Sequence, residues 1–342
     1  MATSGRLAAA VSSKELSSDT SPELLTWTAF AKRLVGNAER CKVSRSRVKA
    51  NLFIVGAPKC GTTAWVRYLR THPGIFFADM KEPTHFATDL PGIRWVPTLA
   101  EYESLFDRGF GAPVVAEASA MYLYSADAAD AIRRYNPDAK ILIFLRSQDD
   151  FLQSYHHQLL FRFAETIEDF ETAWRLSGNR PPETVPRTCR EPRLLDYRAV
   201  ASFREQVERY LDRFPAEQVR VFNLSDWAAD PRAAYLRILD FLGLEDDGRT
   251  NFPRVKEAKS YRIKWIGRLI AHPPAFAVSL VKLLRKITGR SALGIAERAS
   301  LLASRRGYRT SMSPQLREEI RSYYEADNRA LKKRLAGLYQ TD

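Results

Sequence analysis

A lysine set between two glycines and followed by two threonines fills residues 56–63, in the run GAPKCGTT. These are the residue types that hold a phosphate. Glycine lets the backbone come close, Lys59 brings a positive charge, and Thr62 and Thr63 offer hydroxyl donors. Gly56 and Gly61 have the spacing of a nucleotide loop, but Thr62 stands where that loop keeps its lysine. A second cation, Arg146, ends the apolar run ILIFL, and Ser154 follows it by eight residues. Arg146 can grip another phosphate in a forked, charge-assisted pair while Ser154 donates from the next turn. A triphosphate site would carry a metal-binding Asp after this later strand, and Arg146 takes that place. The displaced lysine and the missing acid point to a ligand with less charge on its transferred group, which makes a metal less necessary.

Such a loop needs a strand before it and a helix after it. NLFIVG (51–56) is a short apolar run ending in glycine and reads as a buried strand. TTAWVRYLRTH follows with Ala64, Trp65, Tyr68 and Leu69 at helical spacing. Unpaired N–H groups and the helix dipole at that start favour an anion. Further strands are expected at 74–78, 114–119, 139–147 and 218–223, and helices at 125–135, 148–163 and 197–213. Asp230-Pro231 opens another helix that Gly243 stops. Strands alternating with helices predict an α/β fold: a three-layer parallel sheet of about five strands with helices on both faces, of the P-loop NTPase-like kind.

With these motifs in place, the chain resembles the sulfotransferases that use 3′-phosphoadenosine 5′-phosphosulfate (PAPS). PKCGTT is similar to their 5′-phosphosulfate loop, and Arg146 with Ser154 and Tyr155 to their 3′-phosphate site. Three stretches resemble the bacterial and glycan-modifying branch: KEPTHF (81–86), EASAMYLYS (117–125) and VRVFNLSDWAADPRAAYLRILDFLGL (219–244). The resemblance covers roughly 50–250 well and 300–338 loosely. It implies PAPS as donor, PAP as product, no required metal, and in-line attack by an acceptor hydroxyl or amine. Lys59, Cys60, Gly61, Thr62, Thr63, Arg146 and Ser154 would bind the cofactor. Arg305, Arg306 and Gly307, in SRRGYR, resemble a late basic loop that closes on the 3′-phosphate and adenine.

Glu82 is the expected base, with Lys59 stabilising the leaving phosphate. His85 is the other candidate, as a base or a substrate contact, and His156 or His157 could face the cleft. The plain alternative for Glu82 is a surface pair with Lys81, worth little. Three departures stand out. Cys60 replaces a Ser or Gly, where only its N–H is needed. Trp65 sits one place late for stacking on adenine, about 100° around the helix, so core packing is its expected job. Ala118 replaces a lysine of glycan-type relatives, whose contribution is then missing or supplied elsewhere.

Net charge is +13, from 53 Lys+Arg against 40 Asp+Glu, which favours anionic partners without choosing among them. Competing readings are a Mg-dependent nucleotide kinase with a drifted loop and a basic nucleic-acid-binding protein, although no reader motif is present. Three cysteines, Cys41, Cys60 and Cys189, with no C-x-x-C spacing argue against a disulfide framework or a zinc site and fit a reducing, cytoplasmic setting. No run approaches the ~20 apolar residues of a membrane span, and the N-terminal apolar run is too short for a secretory signal.

Residues 1–50 read as a poorly ordered or helical extension with a basic linker, and 51–342 as a single domain. Its sheet core is 51–250, and a helical acceptor-side and closing part runs over 251–342, where no strand is expected. The basic and apolar stretch 261–290 either walls the acceptor cleft or lies on an anionic membrane. The expected acceptor is a carbohydrate, a hydroxylated lipid or another small molecule. Ser313-Pro314 opens a last amphipathic helix carrying Leu316, Ile320, Tyr323, Tyr324, Leu331 and Leu335.

Overall fold

A computed structural model of the protein describes residues 48–253, 259–261, 304–306 and 312–339. All of them fall in one compact unit, 47–342. The expected N-terminal extension (for all but its last residues), nearly all of 261–290, and Gly307 lie outside the described residues.

Alternation of short apolar runs with helices produces five parallel strands: β1 (Leu52–Gly56), β2 (Ile75–Phe77), β3 (Val114–Ala118), β4 (Lys140–Leu145) and β5 (Val219–Asn223). Their order is β2-β3-β1-β4-β5. Every residue of β1 and β3 is buried, so both faces of the sheet are covered. This is the α/β fold class that the run pattern predicts. The chain leaves β1 towards β2 on one side and returns from β3 to β4 on the other. The carboxyl end of β1 is therefore a topological switch point, where open α/β sheets place ligands.

Helices α1 (Thr62–Leu69), α2 (Leu99–Ser104), α3 (Ala128–Tyr135), α4 (Gln148–Phe161), α5 (Phe170–Arg175), α6 (Tyr197–Val200), α7 (Phe203–Leu211), α8 (Leu224–Ala229) and α9 (Pro231–Leu242) connect and cover the strands. The α9 boundaries follow from its ends. Asp230 accepts the Ala233 N–H at 2.9 Å, Pro231 fills the first turn, and Gly243 closes it at φ +73°. α3 begins at Ala128 rather than at Ser125, whose Oγ instead accepts the Ala128 N–H. The single helix expected over 197–213 is two helices. Gln206 Nε2 donates to the carbonyls of Ala199 and Val200, satisfying the end of α6 and letting the chain turn before α7.

Two short strands correct the expectation that none follow the sheet core. β6 (Lys259–Tyr261) and β7 (Ser304–Arg306) pair antiparallel, with Ser260 opposite Arg305, and β6 lies against α4. α10 (Pro314–Tyr339) packs on α7 and α4. Leu316, Ile320, Tyr324 and Leu331 form its buried face, while Tyr323 is exposed, with the Arg198 guanidinium over its ring. Gln148 and Asn328 exchange two side-chain hydrogen bonds, 2.8 and 3.0 Å long, and fix α10 to the start of α4.

Candidate active site

The β1–α1 turn is shaped by two interactions that bracket it. Ala57 N–H donates to Phe144 O at 2.7 Å, tying the loop to β4. At the other end Gly61 has φ +92°, and its carbonyl accepts from Ala64 and Trp65 to start α1. A Cβ on Gly61 would lie 2.3 Å from Trp227 Cζ2, so both the left-handed backbone and the indole beneath require glycine here. Trp65 is fully buried, stacked on Phe144 (5.4 Å between centroids, 12° between planes) and edge-on to Trp227. Its packing role follows, and truncating a core tryptophan costs about 3–5 kcal/mol.

The first-turn amides of α1, on Thr62 and Thr63, belong to the set that a helix leaves without internal partners. Lys59 stands in the same turn at φ +63°. Cys60 is fully buried, and its N–H donates to Ala57 O at 3.3 Å, so the amide expected to face an anion is turned into the loop itself. Burial pushes its thiol well above the ordinary range. Arg146 and Lys59 both act in the opposite direction, and both are therefore close enough to be felt at the thiol. The group is a buried, protonated filler.

Arg146 follows β4, the neighbour of β1 in the sheet, which brings it to the same edge as the loop. Its side chain is 19% exposed and its Nη2 lies 3.1 Å from Asp150 Oδ2, one turn along. Ser154 is buried on α4, a turn further on. Arg305 and Arg306 lie in β7, not in a loop, paired with β6, which runs against α4.

Glu82 follows β2 in a tight, strained turn. Glu82 and Thr84 have φ +60° and +50°, conformations that cost non-glycine residues roughly 1–3 kcal/mol each. Two bonds to the end of β3 hold them: Glu82 N–H to Ala118 O and Thr84 N–H to Ser119 Oγ, both 3.0 Å. Ser119 donates in turn to the buried Glu117 carboxyl at 2.5 Å, and Tyr102 donates to it at 3.1 Å. Burial pushes Glu117 up to about 7, against hydrogen bonds from Ser119, Tyr102 and Tyr122 that favour its ionised form. Lys81 links this turn to the loop. Its ammonium lies 2.9 Å from Glu82 Oε1 and 2.9 Å from Thr63 Oγ1.

The histidines stand apart from this arrangement. His85 is buried, donates through Nδ1 to Val96 O at 2.8 Å and stacks on Tyr102. Burial lowers its pKa. Together with Phe86, Arg94, Leu99, Arg134 and Tyr135 it lines a cavity of about 320 Å³, none of whose walls comes from 57–63 or 146–154. His156 is buried between the Tyr197 hydroxyl (2.8 Å) and Glu168 O (3.2 Å), and burial lowers its pKa as well. Those are contacts of structural histidines. His157 is partly exposed on α4.

From the sequence Lys81 reads only as half of a surface pair with Glu82. Its contact with Thr63 arises from tertiary packing across 18 positions. Trp227, which underlies the loop from α8, gave no local signal either. The arrangement can hold an anion at the start of α1, neutralise it with Lys59 and Arg146, and present a carboxylate next to it. Among the described residues no group of three or more His, Cys, Asp or Glu is arranged to hold a metal, and no helix is long and apolar enough to cross a membrane.

Residues 49–254, more than half of the chain, match the family model described as "Sulfotransferase domain". The human heparan sulfate glucosamine 3-O-sulfotransferase 6 is 24% identical over 246 residues, covering 68% of this chain and 67% of that protein. Carbohydrate sulfotransferase 15 of Rattus norvegicus is 26% identical over 255 residues, covering 58% of this chain and 45% of that protein. The chain thus spans between about half and two thirds of the length of these curated relatives. The crystal structure of a sulfotransferase from Alicyclobacillus acidocaldarius is 31% identical with a TM-score of 0.54, covering 71% of this chain and 97% of that one.

Proposed function

Since the chain belongs to the sulfotransferase domain family, sulfuryl transfer is its chemistry, and we propose that PAPS is the donor and a carbohydrate hydroxyl the acceptor. One observation supports this reading: the start of α1, Arg146 and Glu82 follow the carboxyl ends of strands in one parallel sheet, and Lys81 joins two of them. The residues present fit the donor. The left-handed Gly61 turn starts α1, whose first-turn amides have no partner within the helix, Lys59 and Arg146 supply positive charge, and Ser154 lies on α4, the helix that follows Arg146. Bound there, PAPS supplies a sulfuryl group on a phosphate leaving group.

The protein's residues have separate duties. Thr62, Thr63 and the amides at the start of α1 hold the 5′ end, Arg146 and Ser154 hold the 3′-phosphate, and Arg305 and Arg306 of β7 are assigned to the same phosphate. Lys59 neutralises charge at the departing phosphate. Glu82, held in its turn by Ala118, takes the acceptor's proton on its carboxylate. Its contact with Lys81, which reaches Thr63, favours it over His156, both of whose ring nitrogens are already bonded, and over His85, whose ring lines a cavity with no wall from 57–63 or 146–154. Positioning and electrostatics supply most of the catalysis in such loose transfers. We treat 51–342 as one catalytic domain, closed by α10 through Gln148–Asn328 and the Arg317 contacts with Asp149 and Asp150.

A carbohydrate acceptor is supported by the named activities of the heparan sulfate and carbohydrate relatives. Calorimetry of PAP binding in chelator, followed by a labelled-PAPS screen over sulfated and unsulfated oligosaccharides, tests the reading. Binding of PAP without a divalent ion, with label appearing on an oligosaccharide, is the expected result. Binding of ATP only with Mg²⁺, or of neither nucleotide, would overturn it.

A further inference from the structure

We propose that Lys81 is a catalytic residue whose ammonium contacts the oxygens of the sulfuryl group as that group passes from the loop-held phosphate to the acceptor hydroxyl. The proposal rests on the sulfuryl-transfer reading above and adds a residue to it.

Lys81 and Glu82 are neighbours in sequence, and a bare neighbouring pair on a surface contributes little. The contact with Thr63 is different in kind. Thr63 stands in the first turn of α1, on the donor side of the site, whereas Glu82 is the carboxylate on the acceptor side. The Lys81 ammonium touches both at 2.9 Å, with its side chain only 29% exposed and that of Glu82 31%. The turn carrying them is fixed by the left-handed Glu82 backbone and by the Ala118 and Ser119 bonds. The cation therefore stands between the group that is given up and the group that receives it.

An ammonium has three N–H donors. Two are aimed at Thr63 and Glu82, which leaves the third for an oxygen of the transferred group. A fixed cation at this position stabilises charge on those oxygens with no reorganisation at the moment of transfer. In the step itself the acceptor oxygen bonds to sulfur, and the bond from sulfur to the phosphate oxygen breaks. The electron pair of that bond stays on PAP, and the acceptor's proton moves to Glu82. As Glu82 becomes neutral its hold on Lys81 weakens. The ammonium is then released towards the sulfuryl oxygens when their need for it is greatest. Lys59 serves the leaving phosphate, so the two lysines divide the work.

Lys81→Met and Lys81→Arg test this through binding as well as turnover. Dissociation constants for PAP and for PAPS are measured without acceptor, and turnover is measured with an oligosaccharide acceptor from the screen. PAP has no sulfuryl group, so Lys81→Met should leave its affinity within threefold of wild type. PAPS should weaken at least threefold more than PAP, and turnover should fall at least 30-fold. Lys81→Arg, which keeps the charge, should recover part of both losses. Equal weakening of PAP and PAPS would show that Lys81 only supports the loop. Turnover of Lys81→Met within threefold of wild type would also overturn the proposal. Absence of PAP binding by the wild-type protein would instead remove the reading beneath it.

Discussion

Arg146 Nη2 lies 3.1 Å from Asp150 Oδ2, so the guanidinium assigned to a phosphate is held by a carboxylate in the first turn of the following helix, α4. Asp150 also lies 3.1 Å from Arg317 Nη1 on α10, and the neighbouring Asp149 contacts Arg317 and Arg321. Burial raises the Asp150 pKa, but Arg317 and Arg146 outweigh it and hold the carboxyl below the usual range. Arg317 can therefore keep Asp150 paired when a phosphate takes Arg146. Arg146→Ala should weaken PAP binding by about 2–3 kcal/mol, the worth of a strong charge-assisted bond. Asp150→Asn should leave PAP binding intact or tighten it, since a competitor for Arg146 is lost. Calorimetry decides, and weaker binding in Asp150→Asn would mean that the carboxylate positions Arg146 rather than competes for it.

Gly61 is irreplaceable for two reasons that a control glycine separates. Gly61→Ala meets both the left-handed backbone and the Trp227 ring 2.3 Å away. Gly243→Ala meets only the backbone term, because nothing lies within 4 Å of its Cβ position at φ +73°. The first variant should lose PAP binding and melt several degrees lower. The second should lose about 1–2 kcal/mol of stability and bind PAP normally. Equal PAP binding by the two variants would remove Trp227 from the design of the loop.

Sequence and structure agree where the signal is local. GAPKCGTT, the apolar runs of β1 and β4, and the Asp-Pro…Gly frame of α9 each carry their own cause within a few residues. One step of helical phase puts Trp65 in the core, and it is fully buried. The six-residue helices α2, α5 and α8 are too short for a periodic pattern. Thr98 nonetheless marks the start of α2 as its N-cap, its Oγ1 accepting the Glu101 N–H. Trp227 under Gly61 and Lys81 against Thr63 depend on how the sheet is ordered, and no window of sequence contains that. The Cys60 amide shows the limit from the other side: its position in the motif implied a ligand contact, but the turn geometry gives it Ala57 O.

Cys60 should behave as packing. Its thiol is fully buried and held protonated by burial. Under native conditions iodoacetamide should leave it unlabelled, as read at that residue by mass spectrometry, and labelling should appear with denaturant unfolding. Cys60→Ala should bind PAP within threefold of wild type. Rapid native labelling at Cys60 would show that the loop opens to solvent, and the packing account would fail.

Glu117 gives the fold a pH dependence whose sign follows from its burial. The carboxyl has an ordinary value near 4.5 and is pushed up to about 7 in the folded chain, where it faces Tyr102, Ser119, Tyr122 and Glu82. Between those values the folded state binds the proton more tightly than the unfolded state does, so stability from this group falls as pH rises. The contribution is fully present below about pH 4.5 and is lost as pH passes through about 7. Its size, from the shift, is on the order of 3 kcal/mol. Glu117→Gln keeps an acceptor for Ser119 and a polar partner for Tyr102 while removing the titration. Other groups titrate over the same range, His85 and His156 among them, and they cancel when the variant is compared with wild type at each pH. Urea unfolding from pH 4.5 to 8 should show the variant gaining on wild type steadily across that window. Parallel stability curves would mean that Glu117 is ionised in the folded protein throughout, with Ser119 and Tyr102 stabilising its charge.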